Sequence, residues 1–400
     1  IYGILCPARV KETWTGRKWG LDMKDYTKYW VGFNLVKGIG PVRLEKLLQY
    51  FGDIQAAWEA RSYHLQAAGL NDNLVKRISE IRNRVSLDEL EQKLRVQGIQ
   101  VLTWDDPAYP DRLRHIVQSP FVLYIKGQVI AEDAWAVAIV GTRRYSSYGR
   151  QVAENISHTL ARNGITIISG LARGIDGIAH RTAIDAGGRT IAVLGSGLDI
   201  LYPPEHRALA EEISKEGALI SDYPLGTPPD GSNFPPRNRI ISGLSKFVIV
   251  IEAGERSGAL ITATYAAEQG KEVFAVPGKI SAPMSKGTNL LIKQGAHPLL
   301  DPQDVLDLLN MTLVAEQRVI RKALPSDPKE AVLYQAVGEE PLHVDEICSQ
   351  VNLPIEEVTS TLALMELKGM VRKTFGMKYV AVQELNAGYH IKLNQDREGR

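Results

Sequence analysis

Between residues 24 and 96, apolar side chains return every three or four positions. Leu44, Leu47, Leu48 and Phe51 mark one helical face. Ala56, Ala57 and Trp58 mark a second short helix, Leu74, Ile78 and Ile81 a third, and Leu87, Leu90 and Leu94 a fourth. This period predicts a small all-helical domain. From about 99 to 310 the pattern changes to short, continuous apolar runs, at 136–140, 165–168, 191–194, 218–220, 247–251, 273–276 and 297–300. Amphipathic stretches fall between most of them. Strands that alternate with helices predict an α/β fold with a doubly wound parallel sheet. Helical periods return at 329–337, 343–351 and 354–368, and two short strands at 370–373 and 379–382 flank a turn at Gly376. Three helices followed by a hairpin read as a winged helix.

The expected layout is therefore a tail or upstream extension over 1–22, a helical domain over 23–98 and an α/β core over 99–310. A linker at 311–327, a winged helix at 328–382 and a polar tail at 383–400 follow. A length of 400 residues suits this division. With 47 basic and 46 acidic side chains, the chain carries no polybasic coat, so a nucleic-acid site must be a local patch. Two cysteines, Cys6 and Cys348, exclude a disulfide framework and a cysteine-rich zinc site. No apolar run reaches the roughly 18 residues of a membrane span, and Arg9, Lys11 and Glu12 interrupt the first residues before a signal-peptide core forms. A soluble cytoplasmic protein with no membrane association is expected.

The chemistry concentrates in glycine-bearing turns at strand ends, where open sheets of this kind take ligands. Gly141-Thr142-Arg143-Arg144 follows the first predicted strand, and Tyr145-Ser146-Ser147-Tyr148-Gly149 leads into a helix. Glycine admits close backbone approach and arginine adds positive charge, which together fit a phosphate. The pattern recurs at Ser169-Gly170-Leu171-Ala172-Arg173-Gly174-Ile175-Asp176, where Asp176 is expected to cap the helix carrying His180. His180 reads as a packed, locally bonded histidine rather than a base. Phe234-Pro235-Pro236-Arg237-Asn238-Arg239 puts a ring beside two arginines at a helix start. Rings stack on bases and arginines neutralise phosphates, although Phe234 also suits a hydrophobic staple. Ser257-Gly258 opens a further helix, and Ser285-Lys286-Gly287 is a polar turn with one cation.

Gly38-Ile39-Gly40, with Pro41 opening the next helix, reads either as a helix-hairpin-helix contact to nucleic-acid backbone or as a plain glycine-capped hairpin. The chain lacks a G-x-x-x-x-G-K-[ST] phosphate loop, a complete dinucleotide fingerprint at Gly195-Ser196-Gly197, a G-x-S-x-G elbow and a histidine pair at zinc spacing. No catalytic residues, metal or cofactor are expected. Residues 328–382 hold five basic and eight acidic side chains, and the helix that would enter a major groove carries Glu356, Glu357 and Glu366 against Lys368. That disfavours duplex reading.

The ordered motifs resemble the DprA/Smf family of DNA-processing proteins. They are Gly141-Thr142-Arg143, Ser169-Gly170-x-Ala172-x-Gly174-x-Asp176-x-x-Ala179-His180, and Phe234-Pro235-x-Arg237-Asn238-Arg239-Ile240-Ile241. Glu252-Ala253 with Ser257-Gly258-x-Leu260-x-Thr262-Ala263, Ala275-Val276-Pro277-Gly278 and Gly287-x-Asn289-x-Leu291-Ile292 complete the set, over about 105–300. The resemblance implies a sterile-alpha-motif-like or helix-hairpin-helix domain, an extended Rossmann core and a winged helix. It implies a homodimeric, non-enzymatic mediator that binds single-stranded DNA, displaces single-strand-binding protein, loads RecA and protects incoming DNA during natural transformation. Arg143 falls at the family's pocket arginine, Phe234 at its base-stacking ring, and Arg237 and Arg239 at its basic helix start. The expected DNA contacts are these four with Gly141, Thr142, Arg144, Ser169, Gly170, Arg173, Gly174, Asn238, Ser257, Gly258 and Lys286. Pro228-Pro229-Asp230-Gly231 departs from relatives that carry basic residues there. The alternative is a nucleotide-binding sensor or hydrolase on a Rossmann-like core. The Glu252–Gly258 stretch lacks the Pro-Gly-Gly-x-Gly-Thr turn of such hydrolases.

Overall fold

The computed structural model describes residues 26–310, 327–337, 342–351, 353–368, 370–374 and 377–381. The tails expected at 1–22 and 383–400, most of the linker and the turn at Gly376 lie outside these residues.

Six helices open the chain: α1 (Thr27–Leu35), α2 (Pro41–Phe51), α3 (Ile54–Glu59), α4 (Ser62–Ala67), α5 (Asp72–Arg84) and α6 (Leu87–Val96). Asp53, Asn71 and Ser86 cap α3, α5 and α6 by accepting backbone N–H bonds, which satisfies otherwise orphaned donors. The Gly38–Gly40 turn joins α1 to α2. Gly38 has φ +103°, a conformation that suits glycine, and Arg43 donates to its carbonyl at 2.6 Å. Trp30, Phe33, Leu44, Leu47 and Ile78 are buried in a core that continues into Phe121, Val122 and Tyr124 of the sheet region. Helices and sheet form one compact unit through Val305.

The sheet has nine strands: β1 (Ile99–Thr103), β2 (Val122–Gly127), β3 (Val137–Val140), β4 (Ile167–Ser169), β5 (Thr190–Val193), β6 (Ala218–Ser221), β7 (Phe247–Val250), β8 (Val273–Ala275) and β9 (His297–Pro298). Their order is β1-β2-β6-β5-β4-β3-β7-β8-β9. Strands β3 to β9 pair in parallel, while β1 and β2 pair antiparallel with each other and β2 pairs antiparallel with β6. The runs from β3 onward are the expected ones. β1 and β2 were not expected: only the four-residue helix α7 (Asp111–Arg114) lies between them, so no β–α alternation marks them. Strands β3 to β7 are buried along their whole length, as a sheet covered on both faces requires.

The covering helices are α8 (Ser147–Arg162), α9 (Ile175–Asp185), α10 (Arg207–Glu216), α11 (Phe234–Leu244), α12 (Gly258–Glu268) and α13 (Lys286–Lys293). Ile240 and Ile241 of α11 pack with Val140, Val193 and Val250, while Leu209 and Ile213 of α10 join the core shared with α1. Successive strands run outward from β3 in both directions, to β4 on one side and β7 on the other. Their carboxyl ends therefore open a crevice.

The second compact unit begins at Leu306. It contains helices Pro328–Ala336, Val344–Val351 and Ile355–Leu367 and an antiparallel three-stranded sheet made by Leu342–His343, Val371–Thr374 and Lys378–Ala381. Leu333, Ile347, Val358, Leu362 and Met365 are fully buried in its core. This is a winged helix, with a short first strand in addition to the expected hairpin. Among the described residues no helix is long and apolar enough to cross a membrane.

Candidate nucleic-acid interface

The loop after β3 is fixed by one buried carboxylate. Glu252, at the end of β7, accepts from the Ser146 N–H at 2.9 Å and from its hydroxyl at 2.6 Å. The Ser146 oxygen in turn caps α8 by accepting from the Gly149 N–H at 3.1 Å. Thr142 is buried, and its N–H donates to the Glu252 carbonyl at 2.7 Å. Arg143 and Arg144 are left exposed at the tip. Glu252 thus positions the loop that carries Arg143 and Arg144.

Below that tip lies the turn after β4. Gly174 has φ +87°, and a Cβ there would stand 2.3 Å from the Thr142 carbonyl oxygen and 2.7 Å from Arg143 Cα. Only glycine lets the two turns touch. Gly141 is close-packed in the same way against Ile175. Gly170 is held from two sides: its N–H donates to Asp176 at 3.1 Å, and its carbonyl accepts from Arg237 at 2.9 Å. Asp176 does not provide the N-cap of α9, which is Gly174; its carboxylate reaches back to the N–H groups of Gly170 and Ala172.

A shallow, open cleft lies between these turns and α11, lined by Arg143, Gly170, Ala172, Arg173, Tyr202, Pro203 and Phe234. The half-buried ring of Phe234 lies against Gly195, where a Cβ would meet it at 2.9 Å. The Arg143 guanidinium stands 5.9 Å from its centroid, and the Tyr202 ring 5.9 Å away at 42°. Arg143 thus has an aromatic neighbour and an exposed side, a cation–π arrangement that leaves its N–H groups able to take an anion. Tyr202 was not among the expected contact residues.

Several expected contact residues face inward. Arg237 is 4% exposed and donates to Gly170, Val193 and Asn238. Burial draws its guanidinium down to about 10, against the attraction of Asp176. Burial likewise raises Asp176 above the usual carboxylate range, opposed by Arg237. Arg239 is 7% exposed; its guanidinium donates to Asp222 at 2.8 Å, Gln118 at 2.8 Å and Pro236 at 2.9 Å. Neither arginine presents its charge to solvent as expected: Asp222 pairs with Arg239, and Arg237 is bonded to buried carbonyls and Asn238 with Asp176 attracting it. Asn238 is buried and donates to the Gly258 carbonyl at 3.3 Å, and the Ser169 hydroxyl donates to Ile139 at 2.6 Å. Arg237 braces Gly170 in the cleft floor from behind, while Ser169, Asn238 and Arg239 do not line the cleft.

Arg173 is at the rim and forms a two-bonded ion pair with Glu205. Ser257 caps α12, leaving Gly258 exposed at its first position. Lys286 is exposed and sits 3.4 Å from Glu255. These three lie beyond β7 and β8 and do not line the cleft. His180 is fully buried and has Nδ1 at 2.6 Å from the Thr190 hydroxyl. That hydroxyl donates to Ile167, so Nδ1 carries the proton. Burial, with His206 and Arg237 nearby, pushes the imidazole down to about 3. Among the described residues no cluster of His, Cys, Asp or Glu is placed to hold a metal ion.

The fold is an extended Rossmann core with an arginine-and-aromatic cleft, in a chain that also carries a winged helix. Residues 100–310 match the family model described as DNA recombination-mediator protein A, and residues 320–377 match the DprA winged helix domain. Protein Smf of Synechocystis is 37% identical over 388 residues, covering 88% of this chain and 98% of that protein. DNA processing protein DprA of Bacillus subtilis is 44% identical over 216 residues, covering 54% and 73%. The solved structure of DNA processing protein A from Streptococcus pneumoniae aligns with TM-score 0.63 and 34% identity, covering 71% of this chain and 98% of that one. The chain belongs to the DprA/Smf family of DNA-processing proteins.

Proposed function

We propose that this chain binds single-stranded DNA in the cleft and serves as a recombination mediator. The observation that carries the reading is the Phe234 ring held beside Arg143 and Tyr202 at the carboxyl ends of β3, β4 and β5. A base stacks on the Phe234–Tyr202 wall while Arg143 and Arg144 take the flanking phosphates. Ser257, Gly258 and Lys286 extend the backbone path along α12 and α13. Arg237 and Asp176 hold the floor at Gly170 rigid. The glycines at 141, 170 and 174 let the two turns approach. The site needs no cofactor and performs no chemistry on the DNA.

In the cytoplasm, a homodimer would place two such clefts on one strand and gain avidity without new contacts. The bound strand would be freed of single-strand-binding protein and handed to RecA, protecting incoming DNA during transformation. The test is fluorescence anisotropy with a single-stranded oligonucleotide and its duplex at two salt concentrations. Salt-sensitive preference for the single strand that Arg143→Glu removes supports the reading. Equal affinity of wild type and Arg143→Glu overturns it. RecA filament nucleation on DNA coated with single-strand-binding protein, with and without this chain, tests the mediator step.

A further inference from the structure

Arg173 and Glu205 face each other across the rim of the cleft. Arg173 Nη2 donates to Glu205 Oε2 at 3.1 Å, and Nε donates to the other carboxylate oxygen. Both side chains remain about half exposed, at 53% and 47%. Glu205 belongs to the segment carrying Tyr202 and Pro203, two residues of the cleft wall. That segment is anchored on both sides of Glu205. Pro203 is buried, and His206 Nδ1 lies 2.9 Å from the Leu171 carbonyl. The His206 ring also covers Gly177, where a Cβ would stand 2.7 Å from Cε1. Arg143, by contrast, has no carboxylate within ion-pair distance among the described residues.

A carboxylate and a phosphodiester compete for the same face of a guanidinium, since each offers two acceptor oxygens to the planar N–H pair. We propose that Glu205 is an affinity-setting residue of the DNA site: it occupies Arg173 as an internal phosphate mimic, and a DNA phosphate binds Arg173 only by displacing it. This rests on the cleft being the DNA site. The exchange requires only side-chain rotation, because the backbone around Glu205 stays anchored. The released carboxylate remains beside the strand, ready to recapture Arg173, and speeds departure of the DNA.

The mechanism has a signature that a merely structural ion pair lacks. A phosphate taken by an already neutralised arginine adds no net charge neutralisation, so wild-type Arg173 contributes little to the salt dependence of binding. Freeing it should steepen the plot of log affinity against log salt by about one unit.

The test uses the full chain and a short oligothymidylate, titrated by anisotropy over a range of salt concentrations. Glu205→Gln, with Glu205→Ala as a second variant, is expected to raise affinity about three- to tenfold at low salt and to steepen the slope. Adding Arg173→Gln to Glu205→Gln should erase both gains, while Arg173→Gln alone should cost less than Arg143→Gln. The proposal is overturned if Glu205→Gln leaves affinity and slope unchanged while Arg143→Gln still weakens binding. If Arg143→Gln also has no effect, the cleft itself is not the DNA site, and the proposal falls with it.

Discussion

Asp176 and Arg237 grip a single residue from opposite sides. The carboxylate accepts the Gly170 N–H at 3.1 Å, and the guanidinium donates to the Gly170 carbonyl at 2.9 Å. Both charged groups are buried, and each is the other's main compensation. Removing one leaves the other uncompensated in a dry environment. Arg237→Ala should therefore cost about 3–5 kcal/mol of stability, read as a lower denaturation midpoint. The loss should be much larger than for Arg144→Ala, an exposed arginine of the same region. Equal midpoints for the two variants would show that the buried pair does not hold the floor.

The contact between Gly174 and Thr142 makes a second, more local expectation. Gly174→Ala forces a Cβ to within 2.3 Å of a carbonyl oxygen at a φ of +87°. The strain is about 1–3 kcal/mol, and the loop must move to relieve it. Arg143 rides on that loop, so single-stranded DNA affinity should fall together with the melting temperature. Gly164→Ala, also at positive φ but with open space around it, should lower stability and leave binding unchanged.

Stacking on the cleft wall is testable one ring at a time. Phe234→Ala is expected to lose about 1–3 kcal/mol of binding to a short single strand. Tyr202→Ala should lose a comparable amount, whereas Tyr202→Phe should retain most of the affinity. Anisotropy titrations at fixed salt measure all three. A tyrosine hydroxyl contact to DNA would instead appear as a deficit in Tyr202→Phe.

His180 makes stability depend on pH in a defined direction. Its ring is neutral in the fold down to about pH 3, against an ordinary value of 6.5. Below pH 6.5 the unfolded chain binds a proton that the folded chain refuses. Stability is therefore lost as pH falls through the window from 6.5 toward 3, at up to about 1.4 kcal/mol per pH unit from this group. His180→Gln removes the titration and should flatten that part of the stability profile, measured by urea unfolding at pH 7, 6 and 5. An unchanged slope would mean that other groups govern it.

Much of the core was legible because its signals are local. Continuous apolar runs bounded by glycine turns mark β3 to β8, and the glycines and arginines beyond them mark the loops of the cleft. β1 and β2 escaped because their pairing is antiparallel and no full helix separates them. The inward orientation of Arg237 and Arg239 was not legible either. The carboxylates that attract them, Asp176 of α9 and Asp222 beyond β6, lie on other elements, and adjacent residues carry no sign of the encounter. The same reason hides Glu205 beside Arg173, 32 positions apart in the chain. Tyr202 needed the strand order, which sets the loop after β5 beside the turn after β4.

The last strand of the large sheet carries its own instruction. β9 is two residues long, and its second residue is a proline. Leu299 directs its N–H inward to the Ala275 carbonyl at 3.0 Å, so position 298 is the one whose nitrogen faces away from β8. Proline leaves that outward position without a hydrogen to offer. The sheet's rim is thus blunted against ladder extension, because at position 298 only a carbonyl is left to pair with another strand. Association at this rim is thereby biased toward side-chain packing, which can be specific and reversible where open-ended strand addition is neither.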